Sequence, residues 1–279
     1  MQKITDNIYI ETNYLCPNVG CILTGEGAVL VDSPFLPGEA KDWNKTICAL
    51  SNKNIAYLIN TDHHFDHMLG NCYLTRKTIA HRTGRRGFQY YLDPINLKKE
   101  IGMFFPEYLE KWEDLFAQVE IILPQIVFSE ELNLYLDDME IQLKFVGGHS
   151  PATIWIYIPS EGVLFAGDNI ENSRHPAMVF ARFDTWIDLL RKVEEMKVEI
   201  IIPGHGLVGG RELATRQRQY LEEMLGLTKS LKSAGMSKED MAPKVAEHML
   251  AYLPVPEENL QVNRLIIMNG AMRMFDQIR

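Results

Sequence analysis

The chain has 279 residues, with 28 Lys and Arg against 37 Asp and Glu, for a formal net charge of −9. Hydrophobic residues make up 46% and charged residues 23%, an ordinary globular composition that excludes disorder over the bulk of the chain and allows one large domain or two small ones. The acidic balance argues against nucleic-acid and anionic-membrane partners, because both reward clustered Lys and Arg.

Three short Ile/Val-rich runs come first, at 7–12, 18–24 and 27–32, and each reads as a strand. Gly25 and Gly27 bracket a tight turn that makes the last two a hairpin. Residues 39–51 carry a helical pattern with Trp43, Ile47 and Leu50 on one face. Residues 55–59 (IAYLI) read as a buried strand. The pattern then breaks into NTDHHFDHMLGN, where five of twelve residues are His or Asp, as expected of a loop carrying a site. Residues 82–117 are rich in Phe, Tyr and Trp and read as helix interrupted near Pro94 and Pro106. This segment is expected to be either a lid or part of the core. Strands are expected at 119–122, 132–136, 140–146, 153–158 and 162–166. A helix over 184–196, capped by Asp184, leads to a strand at 199–202. From 211 onward only helices are expected, at 211–233, 237–250 and 257–277. The order predicts an α/β layered domain over 1–210, with 82–117 as a helical insertion and 211–279 as a helical extension.

The chemistry concentrates after strands. His63, His64 and His67 are interleaved with Asp62 and Asp66, and imidazole with carboxylate is the usual donor set for zinc, iron or manganese. His149 follows Gly147 and Gly148, Asp168 follows Gly167, and His205 lies between Gly204 and Gly206. Each ends an apolar run, where sites form in layered α/β folds. Arg174 and His175 follow Asp168 closely and are candidates for holding a substrate carboxylate or phosphate. His81 and His248 are isolated and read as structural. The cysteines (Cys16, Cys21, Cys48, Cys72) form no CxxC pair and read as free thiols in a reducing cytoplasm. No run of 18 apolar residues suggests a membrane span, and the start of the chain does not read as a secretory signal.

The stretch Asp62-His63-His64-Phe65-Asp66-His67, then Gly148-His149-Ser150, Phe165-Ala166-Gly167-Asp168 and Pro203-Gly204-His205-Gly206, resembles the metallo-β-lactamase superfamily from about residue 5 to about residue 215. The resemblance implies a four-layer αββα sandwich with two metal ions, zinc first, at one edge of its sheets. It implies His64 and His149 on the first metal, Asp66, His67 and His205 on the second, and Asp168 bridging them. The family usually has His at the position of Asp62, so Asp62 is expected to replace an imidazole, either weakening that site or shifting its preference toward iron or manganese. His63 falls at a variable position and is not assigned. Asp32 resembles the family's buried Asp that orients the metal loop.

The resemblance further implies a hydroxide generated between the two metals, with Asp66 orienting it or moving its proton. The expected activity is hydrolysis of a small ester, thioester, lactone or amide. The glyoxalase II-like branch also carries C-terminal helices, although no basic pair for glutathione stands out here. An iron-binding redox member and a phosphodiesterase or nuclease are the alternatives. A small-molecule substrate is the expected partner, with no nucleic acid and no membrane. The terminal helices are candidates for covering the pocket, for a homodimer, or for both.

Overall fold

A computed structural model describes every residue except Asn52, Asp138 and Arg279. Two sheets face each other. The first has seven strands in chain order: β1 (Gln2–Lys3), β2 (Ile8–Glu11), β3 (Val19–Thr24), β4 (Gly27–Val31), β5 (Ile55–Ile59), β6 (Thr78–His81) and β7 (Ile126–Phe128). The second has five, in the order β12 (Ile200–His205), β11 (Val163–Glu171), β10 (Ile154–Ile158), β9 (Met139–Phe145) and β8 (Glu131–Leu136). The β3–β4 hairpin pairs Thr24 with Gly27 across the expected turn, and β10–β11 pairs Ile158 with Val163.

Alternation of side chains assigns each face. Ile22, Val29 and Val31 point inward and meet Leu143, Ile156 and Phe165 of the other sheet, all buried. Cys21, Ala28 and Leu30 point outward against Trp43 and Ile47 of α1 (Pro37–Leu50). Pro37 stands in the first turn of α1, where its missing N–H costs nothing. On the far side, Trp155, Leu164 and Ile201 pack against Trp186 and Leu190 of α6 (Phe183–Glu195). Four layers result, as expected. The helices α7 (Glu212–Ser233), α8 (Lys238–Tyr252) and α9 (Leu260–Gln277) extend the outer helical layer through Leu221, Val245 and Ile267.

The aromatic segment forms α3 (Arg82–Tyr90), α4 (Pro94–Phe104), a 3₁₀ turn at Pro106–Tyr108 and α5 (Trp112–Leu115). Both prolines begin elements instead of interrupting one, and the Asp93 side chain caps α4 by accepting from the Ile95 N–H at 2.9 Å. Phe88, Tyr91, Trp112 and Phe116 are buried with Phe35 and Phe65, so the segment is anchored in a core of its own. A further short helix, α2 (Phe65–Met68), carries Asp66 and His67 of the motif after the loop that follows β5.

Several expectations change. Residues 119–122 form no strand; the edge strand is β7, further along the chain. β1 and β6 were too short to read from periodicity. Asp184 lies in the first turn of α6 and Arg182 holds the cap position, although the negative charge still suits that helix end. Asp168 and His205 lie inside β11 and β12, not after them. Among the described residues, no helix is long and apolar enough to cross a membrane.

Candidate metal centre

The motif loop leaves β5 at a carboxyl end between parallel strands, and β11 and β12 bring the other sheet's residues to the same edge. Two register irregularities bend β11, one between Phe165 and Gly167 and one between Gly167 and Glu171. Gly167 has φ +52°, a conformation that accommodates such a bulge. Asp168 and Glu171 would face opposite ways in a regular strand, but both line one pocket here.

Donor atoms gather in two separate groups, Asp62 with His64 and His149, and Asp66 with His67 and His205, and His149 also forms a third with Asp168 and Glu171. In the first, His64 Nδ1 stands 3.3 Å from Asp62 Oδ1 and 3.3 Å from His149 Nε2. In the second, Asp66 Oδ2 stands 3.4 Å from His205 Nε2 and 3.8 Å from His67 Nε2. Asp168 lies between the groups. Its Oδ2 is 3.2 Å from His67 Nε2 and 3.5 Å from His149 Nε2, and its Oδ1 is 3.5 Å from His205 Nε2. A tetrahedral ion with bonds of about 2.0–2.1 Å has ligand–ligand edges of about 3.3–3.4 Å, so these separations fit a divalent metal in each group. Asp168 Oδ1 is also buried with no hydrogen-bond partner among the described residues, as a ligand atom would be.

The supporting contacts set ring orientation. His67 Nδ1 donates to Asp32 Oδ2 at 3.0 Å, which turns the Nε2 lone pair toward two carboxylates. Asp32 also accepts from the Thr61 N–H at 2.7 Å and from Thr61 Oγ1 at 2.6 Å. The His149 N–H donates to Asn169 Oδ1 at 2.9 Å. Gly148 makes that contact feasible, because its φ is +88° and a Cβ there would stand 2.4 Å from Asn169 Oδ1. Asp62 is 2% exposed. Its Oδ2 accepts from Ser150 Oγ at 2.7 Å and Thr153 Oγ1 at 2.5 Å, leaving Oδ1 to the His63 N–H and the side facing His64.

Burial disfavours every charge here, and the neighbours decide the outcome. For His64 burial wins and pushes the imidazole down to about 4, which keeps it neutral and able to ligate. Burial pushes the Asp62 carboxyl up, but the His64, His63 and His149 imidazoles hold it well below the usual carboxylate range. Burial and the Arg174 charge push His205 down, but Asp168 and Asp66 outweigh them and raise it to about 9. Burial likewise opposes charge on His67, and Asp168, Asp32 and Asp66 raise it well above its ordinary value. Carboxylates that hold a proton on these two rings hold a divalent cation at the same nitrogens, so loading is pH-dependent.

Above the donors lies a pocket of about 150 Å³. Arg174 lines it, as expected, with Nε 2.9 Å from Glu171 Oε2. His175 does not. It is fully buried, accepts from Tyr220 O–H at Nδ1 (2.8 Å) and donates from Nε2 to the Leu253 carbonyl (2.9 Å). Both nitrogens serve the packing of the terminal helices, so the expectation that His175 binds substrate is corrected. His81 and His248 are structural as expected. His81 caps α3 by accepting from the Thr83 N–H, and His248 pairs with Glu223. Sequence reading missed Glu171, Ser150 and Thr153; only the hydroxyls directly after His149 offered a signal.

Comparison with known proteins places the fold in a family. The model of the metallo-beta-lactamase superfamily matches residues 17–205. A metallo-beta-lactamase type 2 from Bacteroides fragilis is 24% identical over 242 residues, 81% of this chain and 86% of that protein. One from Elizabethkingia meningoseptica is 22% identical, covering 74% of this chain and 78% of the relative. Among solved structures, a sec-alkylsulfatase from Pseudomonas sp. superposes with a TM-score of 0.69 at 16% identity, over 99% of this chain and 49% of its own. A metallo-beta-lactamase family protein from Thermus thermophilus gives a TM-score of 0.66 at 15% identity, covering 96% of this chain and 93% of its own. The chain therefore belongs to the metallo-β-lactamase superfamily and is a metal-dependent hydrolase.

Proposed function

We propose that the chain is a dinuclear hydrolase of a small ester, thioester, lactone or amide. The reading rests on the donor set: two groups of three ligand atoms beneath one pocket, with Asp168 between them. Asp62, His64 and His149 would hold one ion and Asp66, His67 and His205 the other, with Asp168 placed between the two groups. Zinc suits the imidazoles, while the carboxylates Asp62, Asp66 and Asp168 also suit manganese or iron. Bound divalent ions supply an acidified water and a Lewis acid for the substrate carbonyl. Asp66 lines the pocket and is the catalytic carboxylate, orienting the attacking water and accepting its hydrogen bond. Asp32 keeps the His67 ring in the ligating tautomer.

The substrate is a small molecule, since the pocket is small and the chain carries a net negative charge. A thioester of the glyoxalase II type falls within the proposed set, but Glu171 already holds Arg174, which disfavours anionic glutathione. Four free thiols, one of them exposed at Cys48, fit the cytoplasm. The test is metal content per chain by elemental mass spectrometry, followed by an ester and thioester screen with and without chelator. Two equivalents and chelator-sensitive turnover are expected. One equivalent or none, or turnover indifferent to chelator, would overturn the dinuclear reading.

A further inference from the structure

The wall of the metal pocket divides by chemistry. Its floor is polar. Its sides and mouth are Met103, Phe104, Phe105, Val179, Phe180 and Ile266, drawn from α4 and the residue after it, the loop after β11, and α9. Met103 is 48% exposed, Val179 44% and Phe180 48%. Three large apolar side chains are thus left wet at one rim, directly over the reacting centre. The Phe180 ring lies 6.0 Å from that of His64 at an interplanar angle of 23°. Substrate that covers this rim gains the apolar area it removes from water.

Charge at the pocket runs the other way. Asp66, Glu100, Asp168 and Glu171 line it with a single guanidinium, Arg174, whose Nε is held by Glu171 at 2.9 Å. Two divalent ions would add four positive charges, against three negative charges from Asp62, Asp66 and Asp168 and two more from Glu100 and Glu171. A substrate carboxylate or sulfate would then meet Glu171 and Glu100 and no free cation among the lining residues.

We propose that this pocket selects uncharged esters, open-chain or lactone, whose acyl group is a short apolar chain, and that Glu171 excludes anionic substrates by occupying Arg174. The proposal rests on the hydrolase reading above. The acyl chain is short, because the whole pocket, polar floor included, holds about 150 Å³. In the reaction, a water oxygen bonds to the acyl carbon and the acyl carbon–oxygen bond breaks. The leaving alkoxide takes one of the water's protons and the other passes to solvent, giving a carboxylate and an alcohol, which stay joined as a hydroxy acid when the ester is a lactone.

The experiment uses the metal-loaded protein with p-nitrophenyl acetate, butyrate, hexanoate and hemisuccinate, and hexyl sulfate. In parallel, binding of acetamide, hexanamide and succinamate is measured by calorimetry. The expected kcat/KM rises about threefold to fourfold per methylene up to hexanoate, and hexanamide binds more tightly than acetamide by a similar factor per methylene. Hemisuccinate and succinamate fall below their uncharged counterparts. Phe180→Ser lowers the hexanoate-to-acetate ratio about fivefold. Glu171→Gln frees Arg174 and raises the hemisuccinate-to-butyrate ratio about tenfold, the scale of a hydrogen bond to a charged group. A flat chain-length profile in both readouts, or a preference for hemisuccinate or hexyl sulfate over hexanoate, overturns the proposal. No turnover of any ester, with hexanamide still bound more tightly than acetamide, supports the pocket's selectivity and overturns only the hydrolase reading.

Discussion

Asp32→Asn isolates the carboxylate that sits behind the metal ligands. Asp32 is 2% exposed, and its oxygens accept from the Thr61 N–H at 2.7 Å, from Thr61 Oγ1 at 2.6 Å and from His67 Nδ1 at 3.0 Å. Asparagine keeps the size and offers one oxygen in place of two. If that oxygen stays on the Thr61 N–H, the amide faces His67 Nδ1. The ring then moves its proton to Nε2, the nitrogen that faces Asp168 and Asp66 and must be bare to ligate. If the amide flips, the Thr61 N–H loses its buried acceptor, at a cost of roughly 1–3 kcal/mol. Loss of such an outer partner lowers metal affinity about 10- to 100-fold, or roughly 1.4–2.7 kcal/mol. Chelator competition with zinc, alongside elemental analysis of the purified variant, reads this directly. An Asn variant that matches the parent in stoichiometry and in affinity would refute the tautomer argument.

Three further outcomes follow from the same geometry. Asp168→Ala removes the oxygens facing both donor groups, so it should abolish hydrolysis and lower metal content by at least one equivalent; full turnover in that variant would sink the dinuclear mechanism. Gly148→Ala forces a side chain at φ +88° into Asn169 Oδ1 and should destabilise the fold by about 1–3 kcal/mol, read as a lower denaturant midpoint. His175 gives a pH dependence. Burial lowers its pKa below the ordinary 6.5, against the hydrogen bond to the Leu253 carbonyl. Its contribution is full above about 6.5 and falls as the pH drops toward the folded value, because the unfolded chain takes a proton that the packed ring refuses. His175→Gln should therefore narrow the difference between urea midpoints at pH 7.5 and pH 5; an unchanged difference would count against the argument.

The sequence alone determined the layers and pointed to most of the candidate site. Strand runs such as IAYLI and the Gly25–Gly27 turn are local signals, legible because side-chain period and turn chemistry need no partner. The donors were legible because His and Asp are concentrated after apolar runs and in a recognisable order. Tertiary structure decided what depends on register and packing. Glu171 entered the pocket through a bulge in β11, and no period predicts a bulge. His175, a few residues past the end of that strand, was claimed by Tyr220 and Leu253, far away in sequence. The aromatic segment proved to be both core and pocket wall, since its apolar composition suits either, and only the neighbours Phe35 and Phe65 choose which rings are buried. Local chemistry is written in the order of residues, whereas opposing faces, bulges and buried partners exist only once distant segments meet.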